Sequence, residues 1–94
     1  MQTQSQFYTL PEPFECRAGG IIPEVRLAFE TYGELNQAKD NAILVFHALS
    51  GSQHAAGTCP DVPEAAPFWN DECVPGWWEL FVGPGRAINT DKFF

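Results

Sequence analysis

Basic residues are scarce in this sequence. Five Lys and Arg stand against twelve Asp and Glu, which gives a formal net charge of −7 over 94 residues. The five cations are scattered along the chain, so no positive patch is available to neutralise a phosphate backbone, and we expect no nucleic-acid partner. The acidic residues are scattered as well, which is typical of a solvated surface.

Long apolar runs and targeting signals are also missing. No stretch reaches the ~18 consecutive apolar residues that a membrane-spanning helix needs. The first eight residues, MQTQSQFY, lack the basic region and apolar run of a secretory signal. The sequence therefore predicts no membrane partner and a cytoplasmic location.

Cysteine is sparse and has no metal-binding spacing. Cys16, Cys59 and Cys73 make an odd number without a C-x-x-C pair, so reduced thiols in a cytoplasmic protein are the simplest interpretation. A Cys59–Cys73 disulfide is the alternative. His47 and His54 lie seven residues apart and do not complete the two close ligand pairs of a zinc site, so we predict no metal.

The composition is that of a folded protein. Hydrophobic residues make up 45% of the chain and aromatic residues 14%, which is compatible with a packed core and with at most one small domain. Residues 1–13 are polar and end in Pro-Glu-Pro, so they are predicted to be a lead-in segment. Residues 14–94 are predicted to be part of a single domain.

The first apolar segments predict an antiparallel hairpin. Residues 14–17 are a short strand candidate, and Ala18-Gly-Gly20 supplies the positive-φ residues of a tight turn. Residues 24–31 then alternate, with one face formed by Val25, Leu27, Phe29 and Thr31. This alternation is typical of a half-buried strand, so residues 14–31 are predicted to form the hairpin.

The later segments indicate an α/β protein. Residues 42–46, AILVF, are apolar on both faces, which favours an interior strand of a parallel sheet over a short buried helix. A long irregular connection is predicted over residues 58–75. Residues 76–82 suit a short helix ended by the glycines of Gly83-Pro-Gly85, and residues 92–94 begin another apolar run.

A nucleophile is missing from the sequence. Ser50, Ser52 and His54 are close along the chain, but their i, i+2, i+4 spacing in a loop does not bring a hydroxyl onto an imidazole. No Gly-x-Ser-x-Gly elbow occurs in the 94 residues. We therefore predict no catalytic residue in this chain.

The loop after the predicted interior strand is better suited to donating backbone hydrogen bonds. Ligand sites of α/β sheets form at the carboxyl ends of strands. The small residues Ala48, Ser50 and Gly51 allow a turn that directs N–H groups at a developing oxyanion, and one such donor is worth ~3 kcal/mol. The loop lacks the glycine pattern and lysine of a phosphate-binding loop.

Four segments together resemble the N-terminal part of the homoserine O-acyltransferases of the α/β-hydrolase superfamily. They are, in order, LAFETYGELN (27–36), NAILVFHALSG (41–51), HAAG (54–57) and GWWELFVGPG (76–85), the last continuing through Asn89-Thr-Asp91. Their order and spacing cover residues 14–94. The fold class is accordingly α/β: an antiparallel hairpin followed by an interior parallel strand, in a sheet that is incomplete within these residues.

The resemblance implies acyl transfer from acetyl-CoA or succinyl-CoA to homoserine, in methionine biosynthesis. Enzymes of this family work by a ping-pong mechanism in which a serine takes the acyl group and a His–Asp pair activates it. The acyl-CoA is a co-substrate, no cofactor is bound, and the full-length enzymes are homodimers. The nucleophile elbow and the catalytic Asp and His lie downstream of the segment that this sequence matches, so we expect no turnover from these 94 residues alone.

The resemblance also assigns roles to individual residues. The segment matching residues 47–51 forms part of the oxyanion hole, with the backbone N–H of Leu49 as the candidate donor and that of Ser50 as the alternative. The surrounding pocket and its support are expected to come from His47, Gly51, Trp77 and Trp78. Three alternatives remain: a serine O-acyltransferase, an esterase on the same scaffold, and a non-catalytic binding module whose partner surface is formed by the two tryptophans.

Overall fold

The computed structural model describes residues 1–58 and 75–94. These residues form six short strands: β1 (Gln6–Thr9), β2 (Phe14–Glu15), β3 (Ile21–Ile22), β4 (Arg26–Phe29), β5 (Val82–Gly83) and β6 (Ile88–Asn89). The strands make three two-stranded sheets, of which β1–β4 and β2–β3 are antiparallel and β5–β6 is parallel. Within these ranges no helix is long and apolar enough to cross a membrane. Most of the predicted 58–75 connection, with Cys59 and Cys73, lies outside the described residues.

The predicted tight turn joins β2 to β3. Cys16 N–H donates to Gly20 O at 3.0 Å, and Gly19 N–H donates to Cys16 O at the same distance. Gly19 and Gly20 have φ values of +100° and +93°, which a side chain would disfavour. The position of this turn and its need for glycine are confirmed.

The partner of β4 differs from the prediction. β4 pairs with β1, Gln6 opposite Phe29 and Thr9 opposite Arg26, whereas the strand at residue 14 pairs with β3. The 14–31 hairpin is therefore two separate pairings, and the polar lead-in contains a strand. Polar neighbours on both sides conceal the strand-forming Phe-Tyr-Thr run of β1, which is why the hydrophobic pattern alone misses it.

Residues 42–46 show the beginning of the predicted parallel pairing but not the predicted burial. Ile43 N–H donates to Phe94 O at 2.8 Å, and Phe94 N–H donates to Asn41 O at 3.0 Å. This is the bond pair of a parallel bridge between Ala42 and Phe94. No strand is assigned to residues 42–46, and Leu44 and Phe46 are 80% and 79% exposed. The expectation of cover on both faces is wrong here, because the described residues provide no layer over these side chains.

The predicted helix over residues 76–82 is a single turn. Phe81 N–H and Val82 N–H both donate to Trp78 O, at 2.8 and 3.0 Å, and the chain then enters β5. β5 pairs in parallel with β6, a pairing that the sequence pattern does not predict. The i, i+3, i+4 spacing of aromatic residues fits one turn as well as it fits a helix, and the glycines that follow stop its growth.

Little of the described part of the chain is buried. Three hydrophobic residues and two polar residues form the core of the described part: Ala55, Ala56, Val82, Thr3 and His54. Leu27 and Phe29, on the apolar face of β4, are 50% and 38% exposed. The centre of this structure is therefore the 54–57 segment and its polar contacts rather than a large apolar core.

Candidate functional site

Glu30 and His54 form a buried acid–histidine pair. Glu30, one residue after β4, places its Oε2 3.0 Å from Nδ1 of His54, and both side chains are fully shielded from solvent. Glu30 Oε1 lies 3.2 Å from the same nitrogen. A carboxylate accepts hydrogen bonds, so this contact assigns a proton to Nδ1 of His54. Thr3 Oγ1 lies 3.4 Å from the same nitrogen.

The Tyr32 hydroxyl joins this pair to the backbone. It donates to Glu30 Oε2 at 2.7 Å and accepts from the N–H groups of Ala55 and Ala56, at 2.8 and 3.3 Å. Burial, followed by the hydrogen bond and charge of Glu30, raises the pKa of Tyr32 well above its ordinary value of 10.0. The hydroxyl therefore stays protonated and remains a donor to Glu30.

Two further side chains extend the network to β1. Ser5 Oγ donates to Glu30 Oε1 at 2.8 Å, and Gln53 Nε2 donates to Ser5 Oγ at 3.1 Å. These contacts span more than twenty residues of sequence. They tie the start of the chain and the end of β4 to the segment that begins at Gln53.

The predicted pocket-supporting tryptophans pack on the other side of this segment. Trp77 N–H donates to His54 O and Trp78 N–H to Ala55 O, at 3.3 and 2.6 Å. The indole N–H of Trp77 donates to Ser52 O at 2.8 Å. The two ring centroids are 4.8 Å apart at 45°. Both residues therefore contact the 52–55 backbone directly.

The predicted oxyanion turn directly precedes this hydrogen-bonded 52–55 segment. Gly51 N–H donates to Ala48 O at 2.9 Å and closes a turn, while the side chain of Leu49 is fully exposed. The N–H groups of Leu49 and Ser50 donate to no acceptor in the part of the chain described. The turn thus offers two adjacent backbone donors to an external group.

A cavity of about 410 Å³ lies beside this turn, between β4, residues 44–47 and Trp77. His47 and Trp77 line it, whereas Leu49, Ser50, Gly51 and Trp78 do not. The ring of His47 is exposed, with Nδ1 2.6 Å from the carbonyl oxygen of Ala48. The structure therefore brings two of the six predicted site residues to one cavity wall.

Neither a nucleophile nor a metal centre is formed by the described residues. The hydroxyl of Ser52 accepts from the backbone N–H of His54 at 3.3 Å and does not contact its ring. Across residues 1–58 and 75–94 no group of three or more His, Cys, Asp or Glu side chains is arranged to hold a metal ion.

The Glu30–His54–Tyr32 network is the functional feature that the sequence does not predict. His54 lies more than twenty residues from the other two members, and Glu30 and Tyr32 fall in a segment interpreted as strand and connection. No local signal marks the network, because Glu30 falls on the polar face of the alternating pattern, where a carboxylate is normally solvated.

Comparison with known proteins finds relatives that align with nearly the whole chain. No family model matches the chain. A homoserine O-succinyltransferase from Dechloromonas aromatica is 48% identical over 97% of this chain and 22% of its own length. The chain thus spans about a fifth of the length of the curated relatives it matches.

Two solved structures superpose on the chain. A homoserine O-acetyltransferase from Bacillus anthracis matches with a TM-score of 0.77 and 32% identity, over 100% of this chain and 22% of that one. Esterase E22 matches with a TM-score of 0.75 and 37% identity, over 97% of this chain and 22% of that one. The resemblance read from the four motifs is confirmed: this chain is homologous, over nearly its whole length, to a segment of the homoserine O-acyltransferases, and its fold is of the α/β-hydrolase type.

Proposed function

We propose that this chain supplies the oxyanion-stabilising side of a homoserine O-acyltransferase. The observation that carries the proposal is the turn after residues 42–46, where the N–H groups of Leu49 and Ser50 have no acceptor among residues 1–58 and 75–94. The 48% identity to a homoserine O-succinyltransferase supports the reaction class. Residues 14–94 are then the first part of one α/β-hydrolase domain, with residues 1–13 leading into it, in a cytoplasmic enzyme.

The proposed reaction has two acyl-transfer steps. A serine hydroxyl attacks the thioester carbonyl of acyl-CoA, the carbon–sulfur bond breaks, and CoA leaves as the thiol. The homoserine hydroxyl then attacks the acyl-serine ester and releases O-acylhomoserine. Each step passes through a tetrahedral intermediate whose negative oxygen needs two hydrogen-bond donors. The backbone N–H of Leu49, or alternatively that of Ser50, would supply one of these donors, while the serine and its His–Asp pair come from residues outside this sequence.

A chimera tests this proposal. In the transferase chimera, the 91 aligned residues of the Dechloromonas aromatica protein are replaced by those of this chain. We expect homoserine-dependent thiol release from acyl-CoA, followed with both acetyl-CoA and succinyl-CoA. A folded chimera without such turnover would contradict the proposal. The 94-residue chain alone is expected to show no release above background, because it contains no nucleophile elbow.

An esterase is the second candidate function, because esterase E22 shares 37% of aligned residues with the chain. A second chimera, built on esterase E22 in the same way, separates the two. The proposed function requires that the transferase chimera keep a larger share of its parent's activity than the esterase chimera keeps of its own. The opposite order, measured with homoserine acylation and p-nitrophenyl acetate hydrolysis, favours the esterase.

A further inference from the structure

We propose that Tyr32 is a positioning residue for the oxyanion turn, defined here as residues 47–51. Its hydroxyl holds the backbone of Ala55 and Ala56 against Glu30 and thereby fixes the base from which the turn projects. The inference rests on the proposed function, since it names the residue that sets the geometry of the donors at Leu49 and Ser50.

The hydroxyl of Tyr32 donates one hydrogen bond and accepts two, which is all that a phenol can make. A phenol has one proton to donate, and the 2.7 Å contact to Glu30 Oε2 takes it in preference to the carbonyl oxygen of Gln53 at 3.5 Å. Both acceptor positions are filled by the N–H groups of Ala55 and Ala56. Removing this one oxygen would leave two buried backbone donors without their acceptor, and each such loss is costly.

The segment that Tyr32 holds is the most buried stretch among the residues that the structure describes. Residues 54–57 are all buried, and Gly57 N–H donates to Glu79 Oε2 at 2.6 Å. The preceding turn, by contrast, is exposed throughout and is closed by the single Ala48–Gly51 hydrogen bond. On its C-terminal side the turn is attached through Ser52, whose carbonyl oxygen accepts from the indole N–H of Trp77, and through the segment that Tyr32 fixes.

This arrangement predicts a kinetic signature. An oxyanion donor acts on the tetrahedral intermediate and not on the ground-state carbonyl, so its displacement lowers kcat and leaves KM nearly unchanged. A displacement of 1 Å in a catalytic group costs about 100-fold in rate. Tyr32 touches no reacting atom and acts only through the position of the turn.

The test is Tyr32→Phe in the transferase chimera, with Tyr8→Phe as its matched control. Tyr8 is 53% exposed on β1, and its hydroxyl has no partner among the described residues. We expect Tyr32→Phe to lower kcat about 10- to 100-fold, with KM for acyl-CoA and homoserine within about twofold of the parent. Equal kcat values for the two variants would overturn the proposal.

A double-mutant cycle separates positioning from general stability. Leu49→Pro removes one candidate donor of the turn. If Tyr32 acts through the turn, Tyr32→Phe costs much less in the Leu49→Pro background than in the parent. Fully additive losses would show that Tyr32 acts elsewhere and would overturn the proposal. If Tyr32→Phe does not fold, Glu30→Gln replaces it in the cycle, with a smaller loss of kcat and the same non-additivity expected.

Hydrogen exchange keeps this test independent of the proposed function. The amides of Ala55 and Ala56 are expected to lose protection in Tyr32→Phe and to keep it in Tyr8→Phe. Unchanged protection overturns the positioning role even if the transferase chimera is inactive. An inactive chimera with lost protection contradicts the proposed function while the hold of Tyr32 on the segment stands.

Discussion

The backbone of Gly76 lies directly against that of Ala55. A Cβ atom on Gly76 would come within 2.2 Å of the Ala55 carbonyl carbon and 2.3 Å of the Ala56 nitrogen. This close approach lets Trp77 and Trp78 donate their backbone N–H groups to the carbonyls of His54 and Ala55. The tryptophan segment and the buried 54–57 segment are therefore one packed unit.

Gly76→Ala should be strongly destabilising. The nearest atoms are backbone and have little freedom to move, so we expect a loss of about 3 kcal/mol or more in the free energy of unfolding. Gly85→Ala is the control, because its Cβ meets nothing within 4 Å and only its φ of +70° is unfavourable, at a cost of about 1 kcal/mol. Urea unfolding of the transferase chimera measures both. Equal midpoints would mean that the backbones do not touch.

Glu30→Gln should also destabilise the fold. The substitution keeps an oxygen acceptor but removes the charge that faces His54 Nδ1 in a fully buried site. Removing one partner of a buried ion pair lowers the free energy of unfolding by about 3–5 kcal/mol. Because glutamine retains the hydrogen bond, we expect a smaller loss of about 2 kcal/mol. Glu15→Gln, on the exposed strand β2, controls for charge alone. A loss no larger than that of Glu15→Gln would contradict the structural role of the pair.

The features of the fold that the sequence predicts correctly are those set by the chemistry of neighbouring residues. The Gly19-Gly20 turn is predictable because only glycine adopts its φ values without strain. The pairing of β4 with β1 is not predictable in this way, because it depends on contacts between residues 26–29 and 6–9 rather than on either pattern alone. Residues 42–46 likewise carry a clear strand pattern, but their burial depends on layers that the described residues do not contain.

The candidate site also has one part that local sequence predicts and another that depends on long-range contacts. A turn of small residues after an apolar run predicts the donors at Leu49 and Ser50, because that chemistry is local. The network of Glu30, Tyr32 and His54 is formed only when strand and loop meet in three dimensions. A sequence read without its long-range contacts identifies the turn and misses what holds it.

Tyr32 should resist ionisation at alkaline pH. Burial and the neighbouring Glu30 raise its pKa well above 10.0, so the folded protein keeps the phenolic proton after the unfolded chain has lost it. The folded state then binds more protons above pH 10.0, and this contribution to stability falls as the pH rises further. The difference in absorbance at 295 nm between the transferase chimera and its Tyr32→Phe variant should stay near zero at about pH 10.5 and appear on unfolding. A tyrosinate signal from folded protein that reaches about half of its full size at about pH 10 would contradict the buried hydrogen bond.

Proline substitutions should identify the oxyanion donor. Proline has no N–H, so Leu49→Pro and Ser50→Pro each remove one of the two free donors of the turn. Loss of a true donor lowers kcat about 100- to 1,000-fold. Leu49→Ala and Ser50→Ala are the controls, since they keep the N–H and change only exposed side chains; we expect them to stay within about threefold of the parent.

Comparing kcat of the two proline variants decides between Leu49 and Ser50 as the donor. Leu49 is the favoured donor, and a large fall in kcat for Leu49→Pro alone, with KM and the melting temperature unchanged, would assign the role to it. The same fall for Ser50→Pro alone would transfer the role to Ser50. If both proline variants retain the activity of their alanine controls, the turn does not stabilise the oxyanion, because a group that contributes only in the transition state must affect kcat when it is removed.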